Sequence, residues 1–449
     1  MNTKNLVDER LPLGTLLALG LQHVLVMYAG AISIPLIIGA ALKLPKEQIA
    51  FLINADLLAC GLVTLIQTIG WKGVGIRLPI MMGVTFTAIG PMIAIGSDPN
   101  VGLLGIYGAT IAAGLFGLLI APVIGKMLRL FPPIVTGTEI LAVGLSLMGV
   151  AVAWAGGGYG NPQFGAPLYL SVAAAVLVCI LLLVRYGRGF IANIAILLGL
   201  LFGFILSFFL GQISLDELTV TPWIGVTTPF HFGMPTFSFW AVAAMCIVMI
   251  VTFIESTGMF LAVGEIVGRP VTEPDLVRGF RADGIGTVLG GVFNTFPYTS
   301  YAQNVGLVSV TNVKSRWVCV TAGFILITLG LVPKLAVIVA SVPTFVLGGA
   351  GIVMFGMVAA SGIKVLTRVD FRGNMRNLYI VAISIGIGMI PVVSPKFFAQ
   401  LPKELAPLLE SSILLTAISA VVLNLFFNGL ESAESARAAI AEAGRDVEA

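Results

Sequence analysis

Long apolar runs recur along this chain from residue 14 to residue 428, and charged residues sit almost entirely between them. A run of about 20 apolar residues matches the ~30 Å hydrocarbon core of a bilayer. Backbone polar groups inside that core need partners within their own segment, which makes each run a helix. The chain is 58% hydrophobic and 10% charged, where soluble proteins carry about 25% charged residues. The expectation is an all-α polytopic membrane protein.

Fourteen segments are predicted near 14–39, 49–70, 80–96, 102–125, 134–155, 167–185, 189–211, 237–261, 284–295, 298–312, 317–340, 342–362, 377–394 and 412–428. The third, ninth and tenth are short. An even number puts both termini on one side. With the N-terminus inside, nineteen basic residues fall on the inner side. Only Lys43, Lys46, Lys334, Lys396 and Lys403 fall outside, a strong positive-inside bias. The longest inner loops are expected at 262–283 and 363–376. The tail after Gly429 receives no chemistry.

Seven plus seven spans imply two halves of inverted topology, and internal matches at one offset support this. Pro132-x-x-Val135-x-Gly137 opens the fifth span as Pro343-x-x-Val346-x-Gly348 opens the twelfth. Pro79 opens the third as Pro297 opens the tenth. Six residues after each proline stand Thr85 and Gln303, followed by Phe86 and Asn304.

The stretch from Pro297 to Asn312 is unusually polar for this chain, with Tyr298, Thr299, Ser300, Tyr301, Gln303, Asn304, Ser309 and Thr311. An unpartnered polar group in hydrocarbon costs several kcal/mol. Short, polar and interrupted by Gly and Pro, the stretch reads as a discontinuous helix at a transporter's binding site. Its counterpart in the third span offers Thr85, Phe86 and Thr87. Two half-helix N-termini would aim N–H groups and positive dipole ends at a ligand. An aromatic ring opposite amides suits a flat, polar heterocycle.

Three ionisable residues are candidates for chemistry. Glu255 lies mid-helix in the eighth span, where insertion costs about 2.5–3.5 kcal/mol, so it is read as functional. His23 in the first span is expected to support the site geometry or relay a proton. Asp283, where the ninth span leaves the inner loop, is either a second titratable group or a loop carboxylate paired with Arg281 or Arg278. Glu139, near the start of the fifth span, is read as structural, being near enough the surface to be solvated or paired.

Other classes find little support. A net charge of +3 does not suggest nucleic acid. Cys60, Cys179, Cys246 and Cys319 stand singly, without metal or disulfide spacing. With two histidines and no Cys/His cluster, no metal is expected. No nucleophile–base motif points to an enzyme. The N-terminus shows no cleavable signal pattern.

The segment Gln303-Asn304-Val305-Gly306-Leu307-Val308-Ser309-Val310-Thr311-Asn312 resembles the signature of the nucleobase–ascorbate transporter family. That signature is Gln, Glu or Pro, then Asn-x-Gly, four residues, Thr, and Arg, Lys or Gly. Asn312 departs at the last position. Gln22-His23, Glu255 and Asp283-Gly284 also match, in the expected order, and the resemblance covers about 14 to 428. Within the family, L-G-L-Q-H-V-L-V-M-Y-A-G and V-T-F-I-E-S-T-G-M-F-L-A-V-G-E-I-V-G-R are most similar to bacterial uric acid:proton symporters. Gln303 resembles the purine branch, where uracil carriers have Glu and ascorbate carriers Pro.

The resemblance implies that Glu255 and Gln303 bind the purine, with the backbone of Phe86 and Ala302, and the hydroxyl of Thr85 in the third span is expected to join them. It also implies that His23, Asp283 and Asn304 shape the site and couple the proton. It implies a core domain (12–125 and 237–340) sliding against a gate domain (126–236 and 341–430), with 431–449 a cytoplasmic tail. A homodimer in the bacterial inner membrane is expected, with the proton as coupling ion and no other cofactor. The expected function is proton-coupled import of urate, with xanthine a candidate second substrate. A xanthine or uracil symporter on the same scaffold is the nearest alternative. An anion exchanger is a more distant one, against which Glu255 argues.

Overall fold

The computed structural model describes residues 6–127, 130, 132–158, 161–311, 313–402 and 405–430. Asn312 and the expected tail 431–449 lie outside the described residues.

The chain opens with α1 (Leu13–Ala41) and α2 (Lys46–Ile69), then an extended β1 (Met82–Val84) running through a 3₁₀ turn (Phe86–Ala88) into α3 (Ile89–Ser97). Next come α4 (Gly102–Met127), α5 (Pro133–Ala155), α6 (Pro167–Tyr186), the short α7 (Phe190–Asn193), α8 (Ala195–Phe209) and the short α9 (Glu217–Val220). The second half begins with α10 (Phe239–Ile266) and α11 (Glu273–Val292), followed by β2 (Tyr298–Ser300) and α12 (Ala302–Thr311). It ends with α13 (Arg316–Gly330), α14 (Pro333–Ala340), α15 (Thr344–Leu366), α16 (Arg376–Val393), the short α17 (Ala406–Leu409) and α18 (Ser412–Asn428).

Among the described residues, eight helices are long and apolar enough to cross a membrane, or nine if α13 and α14 form one bent span. The protein is thus a multi-pass membrane protein. The helix order departs from the sequence expectation in three places. The stretch 317–340 is not one straight span, because α13 and α14 meet at 80°. Pro333 lacks an N–H, and proline disfavours helical geometry at the residue before it. The expected loop 262–283 is largely helical, since α11 starts at Glu273. There Thr272 and Asp275 form a reciprocal capping box, and Arg278 pairs with Asp275. Finally, the all-α expectation misses a two-stranded sheet.

That sheet pairs β1 and β2 antiparallel, with Met82 opposite Ser300, Gly83 opposite Thr299 and Val84 opposite Tyr298. Each strand leads directly into a short helix. Antiparallel pairing puts the two helix N-termini at opposite ends of the sheet, roughly 10 Å apart at ~3.3 Å per residue. They therefore face each other. Tyr301 wedges the sheet against α1. A Cβ on Gly83 or Gly30 would collide with its ring or hydroxyl.

The long helices fall into two packed groups. In one, α4 lies between α10 and α11, while α2 packs on α13 and α1. In the other, α15 packs closely on α5 and on α6, and α16 packs on α18. The α5–α15 seam is lined by small residues. A Cβ on Gly144 would meet the Ala359 backbone, and one on Gly348 the Ala155 backbone. Small residues of this kind let membrane helices approach closely.

Candidate functional site

The site is organised by the two strand-to-helix corners. At the first corner, Thr85 caps the 3₁₀ turn by accepting the Thr87 N–H at 3.2 Å. Its own hydroxyl donates to Glu255 Oε2 at 3.2 Å. The Thr87 hydroxyl donates to Glu255 Oε1 at 2.6 Å. Both threonines are buried and Glu255 is half-buried, so the carboxyl has one face fixed and one open. Phe86, between the threonines, meets Phe355 of α15 edge-on with centroids 6.0 Å apart.

Ser256, beside Glu255 on α10, ties that helix to the second corner. Its Oγ lies 3.3 Å from the Thr299 hydroxyl and accepts the Ser300 N–H at 3.4 Å. Two residues further on, α12 begins with Ala302 and Gln303, both exposed. The first N–H groups of a helix have no intrahelical acceptor, so this end offers donors. Gln303 lines a cavity of about 260 Å³ together with Gly30, Asn193 and Met354. Asn304 turns the other way. Its amide donates to the His23 carbonyl at 2.9 Å and contacts His23 Nδ1 at 3.1 Å, and both residues are buried.

Asp283 is not where a solvated loop would put it. It lies within α11, fully buried, and accepts from Gln67 Nε2 at 2.9 Å. The same amide nitrogen reaches the Gly279 carbonyl at 3.2 Å, and Gln67 Oε1 accepts the Ile76 N–H at 3.0 Å. The two candidate arginine partners are engaged elsewhere: Arg278 with Asp275 and Arg281 with the Gly73 carbonyl at 3.1 Å.

The expectation for Glu139 is also corrected. It is 3% exposed, its Oε1 has no hydrogen-bond partner, and it interacts with Thr87 and Glu255. Its side chain faces the first corner and α10, away from solvent. Two further groups escape the sequence reading. Asp56 of α2 is buried and accepts the Tyr298 hydroxyl at 2.7 Å, and Gln67 holds Asp283. Asp56 carries the same signal as Glu255, an acid inside an apolar run. Gln67, near a helix end, carries none.

A polytopic helical fold with two facing half-helices around a half-buried carboxyl fits a membrane permease. Residues 14–397 match the Permease family profile. The chain belongs to the nucleobase–ascorbate transporter family.

Among its relatives, it is 57% identical over 426 residues to the uric acid transporter UacT of Escherichia coli (strain K12), covering 95% of this chain and 88% of that one. It is 47% identical over 411 residues to the nucleobase transporter PlUacP of Paenibacillus larvae, covering 92% and 94%. Among solved structures, the transmembrane domain of the cyanobacterial bicarbonate transporter BicA shares the fold with a TM-score of 0.55 at 15% identity. That match covers 95% of this chain and 98% of that one.

Proposed function

We propose that this protein imports a purine nucleobase, urate foremost and xanthine second, together with a proton. The observation that carries the reading is Glu255, half-buried and held on one edge by Thr85 and Thr87, on a helix that packs against α12, whose first turn carries Gln303. A carboxylate accepts N–H donors, and the Gln303 amide offers both donor and acceptor atoms. A purine edge presents both kinds of group. The kinship with uric acid and nucleobase transporters supports the same substrate class.

Proton coupling follows from the substrate's charge. Urate is a monoanion at neutral pH, and its entry against an inside-negative potential costs about 2.3 kcal/mol per charge per 100 mV. One accompanying proton cancels that term. Glu255, Asp283 and His23 are the groups on this chain suited to carry or pass it. Asn304 holds His23, and Gln67 holds Asp283.

In this reading fourteen segments form a seven-plus-seven inverted repeat. The α1–α4 and α10–α14 group slides as a core against a gate made of α5–α8 and α15–α18. The protein works as a homodimer in a bacterial inner membrane, with both termini cytoplasmic. Fold likeness to a bicarbonate transporter raises anion exchange as a second reading, but an acid at the centre of the site disfavours an inorganic anion.

The experiment is uptake of labelled urate by the purified protein in proteoliposomes, with and without an imposed pH gradient, competed by purines and pyrimidines. Accumulation should follow the gradient, be competed by xanthine more than by uracil, and vanish in Glu255→Gln. Gradient-driven accumulation by Glu255→Gln at the wild-type level would remove Glu255 from the mechanism. Uptake of bicarbonate without urate would favour the second reading.

A further inference from the structure

We propose that Asn193, at the break between α7 and α8, contacts the purine as it leaves the site, forming with Gln303 the two polar walls of a passage to the inner side. The sequence places 189–211 in one span. The backbone instead leaves helical geometry at Ile194 (φ −102°, ψ 14°), so α7 ends at Asn193 and α8 starts at Ala195. Interrupted backbone at membrane depth is tolerated where it is buried in protein or lines a cavity, and broken helices mark transporter sites. This break lines the cavity of about 260 Å³ that Gln303 also lines.

The cavity lies between the two packed groups. One wall is the stretch of α1 from Leu25 to Gly30 with the α12 face carrying Gln303 and Leu307. The other is the α7–α8 break with Met354 of α15. The first wall belongs to one group, since α12 packs on α1 and α10, and the second to the other, since α8 packs on α6 and α15. Two of the lining side chains are amides, Gln303 and Asn193, and the rest of the lining is apolar. Both amides are exposed. Apolar walls suit the faces of a flat heterocycle, and amides suit its edges, because an amide donates and accepts at once.

The direction of the passage follows from α1. In the topology proposed above α1 runs from the inner side outwards, and the cavity occupies its Leu25–Gly30 stretch. About one turn further out, the Ser33 hydroxyl donates to the Met354 sulfur at 3.7 Å and joins the two groups. The next residue of α15, Phe355, meets Phe86 edge-on. The groups therefore touch at the site and beyond it, and part on its inner side. Asn193 closes the single turn of α7, just inside Arg188. A base leaving Glu255 passes Gln303 first and Asn193 last.

This inference rests on the purine-import reading above, and its test separates the two. Urate and xanthine uptake are measured in wild-type and Asn193→Asp proteoliposomes at pH 6.5, where urate is an anion and xanthine largely neutral. A carboxylate in the passage repels the anion, so urate uptake is expected to fall about tenfold or more beyond any fall for xanthine. Equal losses for the two bases, or none, would overturn the proposal. In a second arm, Asn193→Cys is placed in a protein whose four native cysteines are replaced by alanine, and inside-out and right-side-out vesicles are treated with a membrane-impermeant maleimide. Labelling is expected from the inner face and is slowed several-fold by saturating urate. No labelling from the inner face, or a rate untouched by urate, would overturn the passage. Either arm decides alone if the other variant does not fold, judged by size-exclusion chromatography. A wild type that binds xanthine or uracil but not urate would sink the urate reading alone, and that base then replaces urate in the labelling arm. A wild type that binds none of the three would sink both.

Discussion

Asn304 gives its amide group to His23 twice, to the main-chain carbonyl at 2.9 Å and to ring Nδ1 at 3.1 Å. The carbonyl accepts only, so the Asn304 atom facing it is the NH₂ nitrogen. The second amide hydrogen then meets Nδ1 as an acceptor, which puts the ring proton on Nε2. One signature residue thus fixes the tautomer of the first helix's histidine and ties α12 to α1.

Replacing Asn304 by Leu should therefore act through His23. Losing the donor leaves a buried carbonyl and a ring nitrogen unpaired, at about 1–3 kcal/mol. The expected outcome is a lower melting midpoint and weaker urate binding, with Asn304→Leu and His23→Leu much less than additive in the double variant. Strict additivity in a double-mutant cycle would mean the two residues act independently.

A second prediction concerns the wedge at the sheet. The Tyr301 ring packs on the Cα of Gly83 and reaches Gly30, where added methyl groups would overlap it. Overpacking of this kind costs about 1–3 kcal/mol. Gly83→Ala should lower thermal stability in detergent, and Tyr301→Leu introduced beside it should restore part of the loss. No change in Gly83→Ala would mean that the corner yields without strain.

Much of this architecture is legible in the order of residues alone. Apolar runs announce the helices, and the polarity of 297–312 announces the corner at Gln303. What stays hidden depends on contacts between distant segments. That β1 and β2 pair with each other is a tertiary fact, since three residues of Met-Gly-Val carry no period. The helical start at Glu273 is obscured because hydropathy locates membrane, whereas the Thr272–Asp275 cap locates the helix. Glu139 is misread because its position in α5 suggests the surface, while the fold sets it against Thr87 and Glu255, which are distant in sequence. Asp56 obeys the rule applied to Glu255, and that rule alone would have found it.

Acid stability offers a third test, at the start of α11 and outside the apolar spans. Burial alone would raise the Asp275 pKa, but hydrogen bonds from the Thr272 side chain and N–H and the Arg278 guanidinium outweigh it, leaving it below the usual carboxylate range. A carboxyl depressed in the folded state is protonated first in the unfolded chain as pH falls. Its stabilisation is therefore complete at neutral pH and fades as pH drops through the carboxylate range to the folded value. Asp275→Asn should melt lower than wild type at pH 7, with the gap closing towards pH 3. A gap constant with pH would assign the effect to the hydrogen bonds alone and not to the charge.

The last prediction addresses which heterocycle the site accepts. Gln303 opens α12, exposed at the cavity, and its amide serves as donor and acceptor at once. An ionised Glu at this position offers acceptors only and adds a charge near an anionic ligand. At an effective dielectric of ~20, unit charges about 4–7 Å apart repel by on the order of 2–4 kcal/mol. That corresponds to roughly 30- to 1000-fold weaker urate binding at ~1.4 kcal/mol per decade. Uracil is neutral and presents N–H donors, so Gln303→Glu should harm it less or help it. Protonation of the new carboxyl removes the repulsion, so the urate loss should shrink as pH falls. Inhibition constants for urate, xanthine and uracil at pH 5.5 and 7.5, in wild type and variant, provide the measurement. Equal losses for all three ligands at both pH values would show that Gln303 serves the packing of α12 and not the recognition of the base.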